Sequence, residues 1–205
     1  MLHLDELILG TLTRSFSIAL TAIFVENIVF TRALGISASL FIIRKEHDHR
    51  LFCGVLTVIT TLSCCLASLF NRYLSRSSHA YFLRPMVYVL MVGIVYVAVL
   101  LTVNKFLPKQ AQRLKPMIHL SAFNGAVIGA LMLTGSSTYN FWGYLAFGLG
   151  TGIGYTIASY LIFLGYERLQ SDRIPAAFRG FPITLIYIGI LSLAFYGLVG
   201  HGLSM

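Results

Sequence analysis

The chain has 205 residues, of which 57% are hydrophobic and only 11% are charged, with a mean hydropathy of +0.81. A soluble domain carries roughly 25% charged residues, so this composition excludes a water-facing globular fold. The net charge of +8 would suggest nucleic acid in a soluble protein. Here the basic residues sit in short stretches between apolar runs, which is how a membrane protein is oriented, and nucleic-acid binding is excluded.

The partner implied is the lipid bilayer, which a helix crosses in about 20 apolar residues. The start, MLHLDELILG, carries Asp5 and Glu6 and no basic n-region, so the first apolar run is expected to be kept as a membrane helix. That run extends from Phe16 to Ile36 and is interrupted by Glu26, Asn27 and Arg32. The second span is Leu51 to Phe70 and the third Pro85 to Val103, both uncharged. The fourth, Met117 to Leu133, is short and interrupted by His119 and Asn124. The fifth, Phe141 to Tyr166, is uncharged and glycine-rich, and the sixth is Phe181 to Val199. The connections are short, so residues 1–205 are read as one transmembrane domain.

Six spans place loops one, three and five on one side. Those loops, with Arg32, hold Arg44, Lys45, Arg50, Lys105, Lys109, Arg113, Lys115, Arg168, Arg173 and Arg179, so eleven of the fifteen Lys and Arg share a side. Arg14, Arg72, Arg76 and Arg84 are left for the other. The positive-inside rule then puts the eleven in the cytoplasm and both termini outside.

Spans one and four each open a group of three, and each carries polar residues inside apolar sequence. Two interrupted spans at matching places predict a 3+3 inverted repeat with discontinuous first and fourth helices. Broken helices at membrane depth expose backbone groups toward a site. Glu26 is the acidic residue that lies well inside an apolar run. It is read as part of an ion path, or else as a group that lies near the interface or pairs with Arg32 as a structural bond. Asn27 and Asn124 either cap half-helices or bond across a helix pair. His119 reads as interfacial.

His47 and His49 in RKEHDHR are spaced like a metal pair, but a solvated loop is the expectation for so charged a stretch. Cys53, Cys64 and Cys65 lie in one apolar run without CxxC spacing and read as small buried thiols. Gly148, Gly150, Gly152 and Gly154 lie inside an uncharged run, not after a strand. They read as small residues four apart that let helices approach, not as a dinucleotide fingerprint. Tyr155, Tyr160 and Tyr166 read as packing or interface residues. In RIPAAFRGFPI, Pro175 and Pro182 break the helix and Gly180 permits a turn, so a structured re-entry is expected. Arg179 there either binds a lipid phosphate or partner, or sets orientation.

IPAAFRG followed by LSLAFYGL resembles the C-terminal end of the membrane subunits of Rnf and Na⁺-translocating NADH:quinone oxidoreductase (Nqr) complexes. VENIVFTRALGIS resembles their first-span motif and FNGAVIGALML their fourth. The outward termini and IPAAFRG are similar to the RnfA/NqrE branch, over nearly the whole chain. The resemblance implies a subunit of a redox-driven ion-translocating complex in a prokaryotic cytoplasmic membrane, paired with a homologous six-helix subunit. It also implies a [2Fe–2S] cluster shared by that pair, with a cysteine from each interrupted span, and electron flow coupled to Na⁺ or H⁺.

This chain departs from the family at those two positions, where Ser37 and Gly125 stand. Thiolate is the usual ligand of such a cluster, so the chain is expected to lack a cluster of its own, unless Cys53, Cys64 or Cys65 supplies replacement ligands to one shared with a partner. The alternative function is a non-redox descendant of the fold, acting as a small transporter or structural membrane partner.

Overall fold

The computed structural model describes residues 2–42, 46–74, 79–135, 137–169, 171 and 174–199. Among them the chain is all-helical, because lipid offers no partner for a free backbone N–H or C=O and a helix satisfies both internally. Helix α1 is Leu2–Leu20 and continues through a wider π-type turn, Thr21–Val25. Short α2, Ile36–Ile42, follows an irregular stretch. Then come α3 (Glu46–Leu74), α4 (Ala80–Phe106), α5 (Pro108–Ala122), α6 (Gly125–Gly135), α7 (Phe141–Arg168) and α8 (Phe181–Val199).

Three stretches, Asp48–Asn71, Ala80–Phe106 and Phe141–Arg168, are each long and apolar enough to cross a membrane. Helices α5 and α6 add a fourth if taken as one span bent by 46°. Leu9–Val25 and Phe181–Gly197 are shorter apolar helices. The chain is thus built as a multi-pass membrane protein.

Three expectations are corrected. The first helix does not run from Phe16 to Ile36: it begins at Leu2 and ends at Val25, where the next residues turn their amides onto a side chain. Loop three is not a loop. Leu107 alone separates α4 from α5, so Lys109, Arg113 and Lys115 ride on a helix. Pro108 at the first helical position has its φ preset, and KQAQRLK is rich in strong helix formers. Arg113 pairs there with Asp48 at 3.0 Å. His49 is not solvated: it lies in α3 and is 3% exposed. Arg44, Lys45, Arg76, Arg173 and the side chain of His47 lie outside the described residues.

The sixth span keeps its expected bounds, Phe181–Val199. Before it, Ala176–Phe178 form a 3₁₀ turn and Gly180 takes a φ of +81°, which glycine adopts without strain. Arg179 Nε donates to the Ile174 carbonyl at 2.7 Å, tying the turn.

Helix α7 is the centre of the bundle. Of its most apolar stretch 56% is buried, against 22% for α4, so α4 lies at the periphery and shows Met86, Leu90, Ile94 and Leu101 outward. Lipid tails solvate such a face as well as a protein core would.

The four central glycines of α7 serve two neighbours. A Cβ on Gly148 would lie 2.8 Å from Thr61 Cα, and one on Gly152 2.7 Å from Thr57 Cα, both on α3. A Cβ on Gly150 would lie 2.6 Å from the Ala19 carbonyl, and one on Gly154 3.1 Å from Ile23 Cα, both on the first helix. The i, i+4 pairs thus face different helices, and backbone meets backbone on each.

Gly152→Val is expected to destabilise the purified protein by about 1–3 kcal/mol, the usual cost of overpacking. Gly189→Val, where a Cβ meets nothing within 4 Å, is the control. Equal thermal melting of the two variants in detergent would refute the close approach of α3 and α7.

Candidate functional site

The first helix breaks at Asn27, which is 1% exposed. Its Oδ1 accepts from the Val29 and Phe30 amides at 3.1 and 3.2 Å. Its Nδ2 donates to the Ile23 carbonyl at 2.9 Å and, across to α7, to the Gly154 carbonyl at 3.1 Å. All four hydrogen-bonding sites of the amide are used. The chain then passes through Ala33 at φ 55° and Gly35 at φ 81° before α2 starts. A non-glycine residue in the left-handed region is strained and is kept only where its surroundings fix it.

The second break lies at Phe123–Asn124, between α5 and α6. Asn124, 3% exposed, accepts at Oδ1 from the Ala126 amide at 3.0 Å, capping α6. Its Nδ2 donates to the Tyr155 hydroxyl at 3.2 Å. Each asparagine therefore accepts backbone amides at its break and also bonds across to α7.

The breaks touch. A Cβ on Gly35 would sit 2.8 Å from Asn124 Oδ1 and 2.7 Å from Tyr155 Cε2. One on Gly125 would come within 4.0 Å of the Gly35 amide nitrogen. Tyr155 of α7 fastens both, since its hydroxyl also donates to the Gly35 carbonyl at 2.9 Å. Beside the contact, Arg32, Leu34, Gly125, Gly129 and Met132 line an open groove of about 490 Å³.

From Tyr155 a polar row runs toward the start of α3. Ser39 Oγ lies 2.8 Å from the Tyr155 hydroxyl, and Ser159 Oγ donates to Ser39 Oγ at 3.0 Å. His49 Nε2 lies 2.6 Å from Ser159 Oγ. A separate polar cluster lies at the opposite end of α3, where Tyr88 donates to Asn71 at 2.6 Å and Asn71 to Tyr144 at 2.9 Å.

Known proteins share this sequence over most of its length. The profile of the family described as Rnf-Nqr subunit, membrane protein, matches residues 15–201. The chain belongs to the Rnf-Nqr subunit family. It is similar to an A-type subunit of the ion-translocating oxidoreductase complex of Syntrophotalea carbinolica, 34% identical over 89% of this chain and 95% of that one. It is likewise similar to the protein of the same description from Aromatoleum aromaticum, 32% identical over 88% and 94%. A third relative is the A-type subunit of the Na⁺-translocating ferredoxin:NAD⁺ oxidoreductase complex of Acetobacterium woodii, 29% identical over 91% and 97%.

In this Rnf-Nqr subunit the two positions where the resemblance expects cysteines, Ser37 and Gly125, are both exposed, one in the first turn of α2 and one at the start of α6. A serine hydroxyl and a bare glycine do not fit an iron–sulfur cluster. Cys53 lies beside His49, with Sγ 3.8 Å from Nε2, and Cys64 is buried against Gly148, where a Cβ would come within 3.2 Å of its own. No group of three or more His, Cys, Asp and Glu converges among the described residues.

Glu26 adjoins Asn27 at the break and is half-buried. The expected pairing with Arg32 is not formed, and among the described residues no ion pair or hydrogen bond engages its carboxylate. His119 is exposed and bonds to the Tyr96 hydroxyl at 2.8 Å.

Sequence reasoning missed Ser39, His49, Tyr155 and Ser159 as a group. A partial signal existed: Tyr155 and Ser159 are four apart on α7 and share a face. The third member, Ser39, is placed by the broken segment, and its position has no sequence period.

Gly35→Ala is expected to cost about 2–4 kcal/mol, from left-handed strain plus overlap with Tyr155 and Asn124. Gly10→Ala, in open space, serves as reference. A melting temperature equal to that of the reference would show that the two breaks do not meet.

Proposed function

We propose that this chain is a membrane subunit of a redox-driven ion-translocating electron-transport complex, of the ferredoxin/NADH or NADH:quinone oxidoreductase type. The observation that carries the reading is the contact of two broken helices at one buried place, in a chain whose family and relatives are such subunits. Discontinuous helices packed against each other at membrane depth are a recurrent way to build an ion or substrate path.

In this reading residues 1–205 form one domain of six spans in a 3+3 inverted repeat. The α1–α2 segment and the α5–α6 pair are the matching broken spans. The protein sits in the cytoplasmic membrane of a prokaryote with both termini outside and the basic loops within. Glu26, Asn27 and Asn124 border the ion path. The open groove at Arg32 and Gly125 is where a homologous six-helix subunit packs, alongside other Rnf/Nqr-type subunits.

Ser37 and Gly125 leave the chain without a [2Fe–2S] cluster of its own. That loss also favours a second reading, a non-redox descendant working as a small transporter or structural partner. Anaerobic purification of the tagged chain from native membranes separates the two. The first reading expects flavin- and iron–sulfur-bearing subunits to co-purify, and iron and sulfide to stay bound to those partners when this chain is stripped from them. Recovery of the chain alone from intact membranes would overturn it. Iron and sulfide in stoichiometric amount on the isolated chain would overturn the cluster-free assignment.

Glu26→Gln is expected to lower ion transport by the complex by roughly tenfold, as for an ionisable group on a transmembrane path. Arg76→Gln is expected to leave transport near wild type. Equal loss from both at equal expression would remove Glu26 from the path.

A further inference from the structure

A polar cavity lies at the end of the bundle that holds Asn71, Tyr88 and Tyr144. The ends of α3 and α6 and the starts of α4 and α7 meet there around about 500 Å³. The cavity shares no lining residue with the groove at Gly125. Its size falls in the range of small-ligand sites. Most polar groups around it bond within the protein. Ser68 donates to the Cys65 carbonyl at 2.6 Å and Ser137 to the Leu133 carbonyl at 3.2 Å. Tyr88 donates to Asn71, Asn71 to Tyr144, and Tyr144 to the Thr134 carbonyl at 3.3 Å.

Three lining residues keep donors that no group among the described residues accepts: Arg84, Thr138 and Asn140. Asn140 spends its Oδ1 on capping α7, accepting from the Gly143 amide at 2.9 Å, which leaves its Nδ2. Arg84 is the costly member. Its Nε is shut off from solvent and has no hydrogen-bond partner. A buried cation without a partner is expensive. An arginine that only snorkels keeps its head group in water, so that role does not account for a buried Nε. Among the described residues no carboxylate lines the cavity, and residues 49–166 contain no Asp or Glu at all. The charge complement of Arg84 is therefore an anion from outside this stretch of chain. The wall at Asn140 and Phe141 is the N-terminal end of α7, whose partial positive charge favours an anion as well.

The surroundings name the source of that anion. Arg84 stands in the first turns of α4, the peripheral helix whose outer face meets lipid. Tyr81 and Phe82, just before it, are exposed. So are Phe141 and Trp142, the chain's one tryptophan, at the start of α7. Exposed Tyr and Trp gather at the headgroup level of a bilayer. A lipid at that depth brings its phosphate level with Arg84 and lays its acyl chains along α4.

We propose that Arg84, Thr138 and Asn140 form a binding site for the phosphodiester of a phospholipid headgroup. The guanidinium supplies the charge and a fork of donors that suits phosphate oxygens. The Thr138 hydroxyl and the Asn140 amide supply further donors. Tyr88 lies four residues after Arg84, on the same face of α4. Its bond to Asn71 holds that face against α3. The site is independent of the ion-translocating reading and needs only that the chain span a bilayer.

The test is native mass spectrometry and thermal melting of the full chain in detergent, titrated with dioleoylphosphatidylglycerol. The comparison arms are dioleoylglycerol, which has the same chains without phosphate, and inorganic phosphate. Wild type is expected to retain phosphatidylglycerol in preference to dioleoylglycerol and to melt higher with it, without that response to inorganic phosphate. Arg84→Gln is expected to weaken phosphatidylglycerol binding by about tenfold or more, the scale of a lost hydrogen bond to a charged group. Arg84→Lys, which keeps the charge but not the fork, is expected to fall between. Arg14→Gln, at an exposed arginine outside the cavity, is expected to bind as wild type does. Thr138→Val, at an exposed position, is expected to weaken binding less than Arg84→Gln, and it reports on the site if Arg84→Gln misfolds. Equal retention of phosphatidylglycerol and dioleoylglycerol by wild type overturns phosphate recognition. An equal response to inorganic phosphate overturns the lipid as its source. Wild-type affinity in a folded Arg84→Gln, or an equal loss in Arg14→Gln, overturns the site.

Discussion

Non-helical backbone at membrane depth must find every hydrogen-bond partner inside the protein, and this constraint organises the molecule. An unsatisfied amide in hydrocarbon costs several kcal/mol. Two buried asparagines meet that demand at the two breaks. Asn27 takes two amides of the broken segment and returns two donors to carbonyls on either side. Asn124 takes one amide of α6 and passes a donor to Tyr155. Each break is therefore stitched to α7, and through α7 to the other.

That stitching requires α7 to lie unusually near its neighbours. The Asn27 bond to the Gly154 carbonyl forms because residue 154 has no Cβ between the two backbones. Gly150 admits the Ala19 backbone one turn earlier, and Gly148 and Gly152 admit α3 on another face. Van der Waals contact between backbones replaces the hydrophobic effect, which does not drive helix association in lipid. The same approach brings Ser159 to His49 and Tyr155 to Ser39. A polar row of four side chains is thus a consequence of where small residues fall on one helix.

Much of this is written locally in the sequence. Hydropathy alone locates α3, α4, α7 and α8, since a run of about 20 apolar residues has few other solutions in a bilayer. The breaks are legible too, because Glu26, Asn27 and Arg32 interrupt the first apolar run and His119 and Asn124 the fourth. The length of the first helix was not legible, for Thr13, Arg14 and Ser15 look like an end but the backbone continues through them. Loop three failed for the opposite reason: its Lys and Gln are as compatible with an interfacial helix as with a loop. His49 failed because burial depends on a serine 110 residues away. Local charge density gave the wrong environment, and no period in the sequence carries the right one.

The identity of residues 37 and 125 bears on function more than on folding. Neither side of either break is held by them. Asn27, Gly35, Asn124 and Tyr155 carry the connections, while Ser37 and Gly125 are exposed and Gly125 lines the groove. The side chain at either place is not what supports the frame. Both positions are exposed, so a substitution there leaves no buried donor orphaned and no cavity in the core, and its cost to stability is small. The frame therefore tolerates exchange at both positions. What cannot be exchanged cheaply is Gly35, where a side chain would be strained by the positive φ and would crowd Tyr155 and Asn124.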